Sequence, residues 1–141
     1  MVVLAAPVAT YWLIGDQSSP GLLPQNADYA AHPPGWSPSA VRVAGIGALC
    51  VGIVALAWLG FAVSKSLLRR EWLGVVGLLA ASASVLAVGY RIATAAVIGA
   101  NIGVGFFMMF GLPLCVGLWI WAATIGYRLR GTRVIAGPPF G

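Results

Sequence analysis

The side chains able to do acid–base, redox or metal chemistry in this chain are few, and none sit together at a working spacing. The one histidine, His32, lies in a proline-rich stretch, so no pair of imidazoles can hold a haem within the apolar segments. Cys50 and Cys115 stand alone in different apolar segments, with no CxxC and no third ligand. That spacing excludes the usual zinc and iron–sulfur patterns and predicts two small, buried apolar side chains. The three acidic residues, Asp16, Asp28 and Glu71, fall at or beyond the ends of apolar segments, leaving no embedded carboxylate for a proton relay or cation site. No Ser–His–Asp set, P-loop or GxGxxG leads to a site. The expectation is a chain with no catalysis and no cofactor or metal of its own.

Two polar residues interrupt otherwise apolar sequence, Arg91 and Asn101. Ionisable groups at membrane depth are functional suspects. With a helix beginning at Trp72, however, Arg91 lies ~28 Å further on, at the opposite interface, where it can snorkel. Pairing with Asp16 or Asp28 is then the expected role, ahead of substrate binding, and Asn101 is expected to cap a turn.

What must position these residues is a set of apolar segments. Of the 141 residues, 60 % are hydrophobic and only 8 % charged, and the mean hydropathy is +0.95, as in chains whose solvent is lipid. A hydrocarbon core of ~30 Å requires ~20 apolar residues in helix, because lipid cannot satisfy open backbone groups. Residues 43–63, 72–91 and 105–127 meet this. Residues 1–14 are apolar but reach only ~21 Å as a helix. A signal peptide would need a basic start and a small-residue cleavage site, and an interfacial helix a polar face. The preferred reading is therefore a span whose start is cut off, with Tyr11 and Trp12 as its aromatic belt. The expected fold is an all-α integral membrane protein, a single domain of four transmembrane helices, the first short or truncated.

Basic residues orient the chain. Lys65, Arg69 and Arg70 lie in the 64–71 loop, and Arg128, Arg130 and Arg133 follow the last span, whereas only Arg42 and Arg91 lie on the other side. The excess places that loop and both termini in the cytoplasm, at the plasma (inner) membrane. Arg69, Arg70, Arg128 and Arg130 are expected to anchor helix ends at phospholipid headgroups. The net charge of +5 reflects this topology, and no nucleic-acid partner is implied.

The outer loop, 15–41, carries Pro20, Pro24, Pro33, Pro34 and Pro38, which preclude a regular helix. It is a solvated connector or a docking arm, the latter because Leu22, Leu23, Tyr29 and Trp36 are side chains a free linker has no use for. Residues 90–104 are an outward helix extension or a re-entrant turn, with Gly99, Gly103 and Gly105 easing a reversal. Small residues recur at helical spacing: Ala44, Ala48 and Gly52 on the second span, Gly77 and Ala81, then Ala80 and Ser84, on the third. Such stripes let helix backbones approach, within the chain or against a partner subunit. Pro113 removes a donor in mid-span and frees the Met109 carbonyl, predicting a distortion.

Seven arginines against one lysine, with abundant Ala, Gly, Val and Pro, suggest a GC-rich coding sequence and an actinobacterial source. The segments Trp12–Gln17 (Trp-Leu-Ile-Gly-Asp-Gln) and Ile98–Gly103 (Ile-Gly-Ala-Asn-Ile-Gly) close the first span and precede the last. With this organisation the chain resembles small uncharacterised actinobacterial multi-span membrane proteins. Proteins of this size and make-up resemble the accessory subunits of mycobacterial respiratory supercomplexes. The resemblance covers residues 1–130 and implies other membrane subunits as partners, without catalytic residues. The expected function is a non-catalytic accessory subunit; the alternative is a small oligomeric transporter or channel, for which only Ser82, Ser84, Thr94 and Thr124 offer polar lining.

Overall fold

The computed structural model describes residues 1–19, 30–33, 35–97 and 99–134. They form five helices: α1 (Val2–Ile14), α2 (Pro38–Ser64), α3 (Glu71–Thr94), α4 (Ala100–Phe106) and α5 (Leu112–Val134), the last two joined by a π-helical segment, Phe107–Gly111. There is no strand among the described residues. Three helical stretches, Pro38–Ser64, Glu71–Thr94 and Ala100–Arg130, are long and apolar enough to cross a membrane. The chain thus has the make-up of a helical membrane protein.

Local chemistry explains the boundaries. The Ser37 side chain accepts from the Ala40 N–H and Pro38 occupies the first turn, where its missing donor costs nothing, so α2 starts five residues before residue 43. Between α2 and α3 the chain turns through Ser66 in the left-handed region, and the Leu67 and Leu68 N–H groups both close on the Ala62 carbonyl. Residues 90–104 extend both flanking helices: α3 runs on to Thr94 and α4 begins at Ala100. Gly99, at φ +83°, makes the reversal between them. The π segment answers Pro113. Leu112 donates to the Phe107 carbonyl five residues back, so the helix widens by one residue just before the proline.

The helices pack as a row. α1 lies between α2 and α3, and α3 packs on α5 and on the α4–π segment, leaving α2 and α5 at the flanks. Antiparallel α1 and α2 meet with Trp12 at Gly45 and Ala5 at Gly52, whose Cβ position would lie 3.7 Å from that of Ala5. The interior is built of small residues: Ala5, Ala9, Ala62, Ser82, Ala87, Thr94, Ala100, Cys115 and Ala122 are buried. Large apolar side chains face outward, among them Trp58, Phe106, Met109 and Trp121, each more than 60 % exposed. Backbones can approach closely across such a core, and in lipid this packing replaces the hydrophobic drive.

Candidate functional site

The polar side chains gather at the end of the row where α1 stops and α2 begins. Gly15, at φ +70°, ends α1 and aims its carbonyl at α3. Arg91, one turn before the end of α3, donates through Nε to that carbonyl and through Nη1 to the Tyr11 hydroxyl at 2.8 Å. Its Nη2 lies 3.7 Å from Asp16 Oδ1. Of the two acidic partners considered for Arg91, Asp16 is the one in place; Asp28 lies outside the described residues. The Asp16 carboxylate accepts from the Ser18 hydroxyl at 2.8 Å and the Ser18 N–H at 3.1 Å. These two bonds, with Arg91 behind them, hold its pKa below the usual carboxylate value.

Ser18 in turn accepts from the Ala96 N–H, and the Ser19 N–H donates to the Ala96 carbonyl, so the segment after α1 is laced to the connection after α3. Beside this cluster lies a cavity of about 450 Å³ walled by Tyr11, Trp12, Trp36, Arg42, Asp16 and Arg91. Trp36 is 64 % exposed and also borders an apolar cleft between α1 and α3. Tyr29, the other docking aromatic, lies outside the described residues.

Asn101 does not cap the turn. It sits exposed in the first turn of α4, and the N-cap is Gly99 in the left-handed conformation, so the backbone makes the turn without a side-chain cap. Cys50 also departs from expectation: it is exposed on α2, whereas Cys115 is buried and its thiol donates toward the Ser82 carbonyl. No three His, Cys, Asp or Glu side chains cluster as metal ligands among the described residues.

The small-residue stripes divide. Ala48 and Gly52 border a small apolar pocket with Ala5 and Ala9, where α1 crosses α2. Ala44 is exposed, and its neighbour Gly45 takes the close contact, against the Trp12 ring. Gly77 and Ala81 face out of the bundle, and a Cβ at Gly77 would meet nothing within 4 Å. The face of α3 toward α5 is instead Val75, Ser82 and Gly89, seven residues apart, all buried. Ser82 accepts from the Trp119 indole at 2.8 Å and Gly89 lies against the Phe107 ring. The face toward α1 carries Ser84, which accepts from Thr10 at 3.0 Å, and Arg91.

At the other end of the row, Arg69 and Glu71 approach to 3.4 Å, both about half exposed. Arg70, Arg128 and Arg130 are exposed. Comparison of the chain with protein-family models, curated proteins and solved structures finds no match.

Proposed function

We propose that the chain is a four-span protein of a plasma (inner) membrane, with the 64–71 turn and both termini cytoplasmic, acting as a non-catalytic accessory subunit of a larger membrane complex. The observation that carries this reading is the outward face of α3. Gly77 and Ala81, with Gly74 beside them, form a small-residue stripe that neither α1 nor α5 covers. Against lipid such a stripe offers little dispersion contact, whereas against another helix it permits close approach. The row arrangement supports the same reading, because a one-helix-thick layer leaves broad faces open. The exposed Phe106, Met108, Met109 and Phe110 side chains add bulky apolar surface. Given the resemblance described above, an actinobacterial respiratory supercomplex is the first complex in which to look.

A transporter or channel needs a polar path, and the hydroxyls that would line it are taken up internally. Ser82 bonds Trp119 and the Leu79 carbonyl, Ser84 bonds Thr10, and Thr94 and Thr124 bond carbonyls one turn back. Purification through a tag on this chain in mild detergent tests the proposal. Fixed co-purifying subunits are expected, lost on joint Gly77→Leu and Ala81→Leu substitution at equal expression. Recovery of the wild-type chain alone from native membranes would overturn the accessory role.

A further inference from the structure

We infer that the cavity beside Arg91 and the apolar cleft between α1 and α3 together hold one phosphatidylethanolamine, with its headgroup between Arg42 and Asp16 and an acyl chain in the cleft. The inference rests on the membrane placement proposed above. It is independent of the accessory role, because Gly77 and Ala81 point roughly 150° away from this cleft around α3.

The two hollows meet, since Tyr11 and Trp36 wall both of them. The cavity, about 450 Å³, is bordered by Arg42, Asp16 and Arg91 as well as by aromatic rings. The cleft, about 430 Å³, is lined by Pro7 and Val8 of α1 and by Ala83, Leu86, Ala87 and Tyr90 of α3. Apart from the Tyr11 and Tyr90 hydroxyls and the Trp36 indole nitrogen, its side chains are hydrocarbon. Val8 and Tyr90 are exposed along it. A ligand that fills both hollows must be polar at one end and apolar at the other.

Depth and charge choose the occupant. The cleft follows α3 from Ala83 to Tyr90, a rise of ~10 Å that starts next to Arg91 and fits within the ~15 Å of one leaflet. A spanning helix of a partner would need a groove about three times as long. At the polar end each nitrogen of Arg91 already has a partner, in Gly15, Tyr11 or Asp16. Arg42 has none: it forms no hydrogen bond or ion pair among the described residues. A planar guanidinium takes a phosphodiester through two parallel N–H groups. The bonds of Asp16 all fall on Oδ1 and its side chain is 76 % exposed, which leaves Oδ2 to accept from a further donor. A phosphate with an ammonium at its far end satisfies both open groups. A choline, with no N–H, satisfies only the first.

Native mass spectrometry of the full chain, released from micelles supplemented with phosphatidylethanolamine or phosphatidylcholine, tests this. The two lipids carry the same net charge, so their comparison reads the donor and not the general field of the protein. One phosphatidylethanolamine per chain is expected, retained about tenfold better than phosphatidylcholine, the factor for one charge-assisted hydrogen bond. Asp16→Asn should erase that preference without lowering phosphatidylcholine retention. Arg42→Gln should weaken both lipids alike. Val8→Trp, which fills the cleft from an exposed position, should abolish retention of either. Equal retention of the two lipids by the wild-type chain, retention unchanged by Val8→Trp, or a dimer of this chain that Val8→Trp dissociates would each overturn the assignment. Flotation of the same preparations with phosphatidylcholine vesicles reads membrane insertion separately, so its failure would strike the membrane placement itself.

Discussion

Arg91 grips Tyr11 twice. Its guanidinium carbon stands 4.6 Å from the centre of the Tyr11 ring, and its Nη1 donates to the hydroxyl of the same residue at 2.8 Å. With the Gly15 carbonyl and Asp16 completing the set, one side chain of α3 fastens the end of α1 and the loop that follows. Planarity matters here, because a flat, multiply donating group can stack and bond at once, which an ammonium cannot.

Arg91→Met should therefore lower stability in detergent by about 2 kcal/mol, in the range for charge-assisted hydrogen bonds. Arg91→Lys should recover less than half of that loss. Thermal unfolding followed by tryptophan emission gives both values, and full rescue by lysine would show that only the charge counts.

Asp16 supplies a pH prediction. Its folded pKa lies below the ordinary value of 3.8, chiefly through the Ser18 hydroxyl and secondarily through the Ser18 N–H and Arg91. A depressed carboxylate pKa adds stability that is present above the unfolded value and is lost as pH falls through the folded one. The loop–α3 contact should thus hold from neutrality down to about pH 4 and loosen below it. The Ser18 amide resonance should titrate with a midpoint below 3.8, and Ser18→Ala should raise that midpoint more than Arg91→Gln does.

Two glycines mark the tightest crossings. A Cβ at Gly45 would overlap the Trp12 ring, and one at Gly89 the Phe107 ring. Gly45→Ala and Gly89→Ala should each cost about 1–3 kcal/mol by overpacking. Gly89→Ala combined with Phe107→Ala should be less than additive, since the smaller residue removes the clash. Additive losses in that cycle would place the cost elsewhere.

The proposed orientation has a direct readout. In a background without native cysteines, cysteine at position 19 or 37 should react with an impermeant maleimide on intact cells. Cysteine at position 66 or 132 should react only after permeabilisation. Reaction at position 66 in intact cells would rule out the four-span topology with its cytoplasmic turn.

The helical segments were legible because apolar length reads directly as helix in a chain this poor in charge. The neighbours of each helix were not. Hydropathy reports the solvent around a helix, and when every face is apolar no periodicity distinguishes lipid from protein. The stripe Gly77–Ala81 and the face Val75–Ser82–Gly89 look alike in sequence, yet only the second packs within the chain. Gly45 was hidden for a related reason: its importance lies in Trp12, more than thirty residues away. Arg91 could be placed at an interface by counting residues, and its acidic partner by proximity, but the carbonyl of Gly15 has no sequence signature. Asn101 has no capping role because Gly99, in the left-handed region, makes the turn with its backbone alone.

The wide turn at Phe107–Gly111 sets the phase of everything before it. Cys115, Ala122 and Leu129 recur every seven residues on the buried side of α5, and an unbroken helix would continue that series to Met108 and Asn101. The inserted residue rotates the preceding segment by about 100°. Phe107 and Ala100 turn inward instead, while Met108 and Asn101 face out. Straightening this turn at full length would swing the Asn101 amide into the bundle and Ala100 out of it. Deleting one residue as the turn straightens would instead keep Phe107 and Ala100 inward, since each would then stand a multiple of seven residues before Cys115.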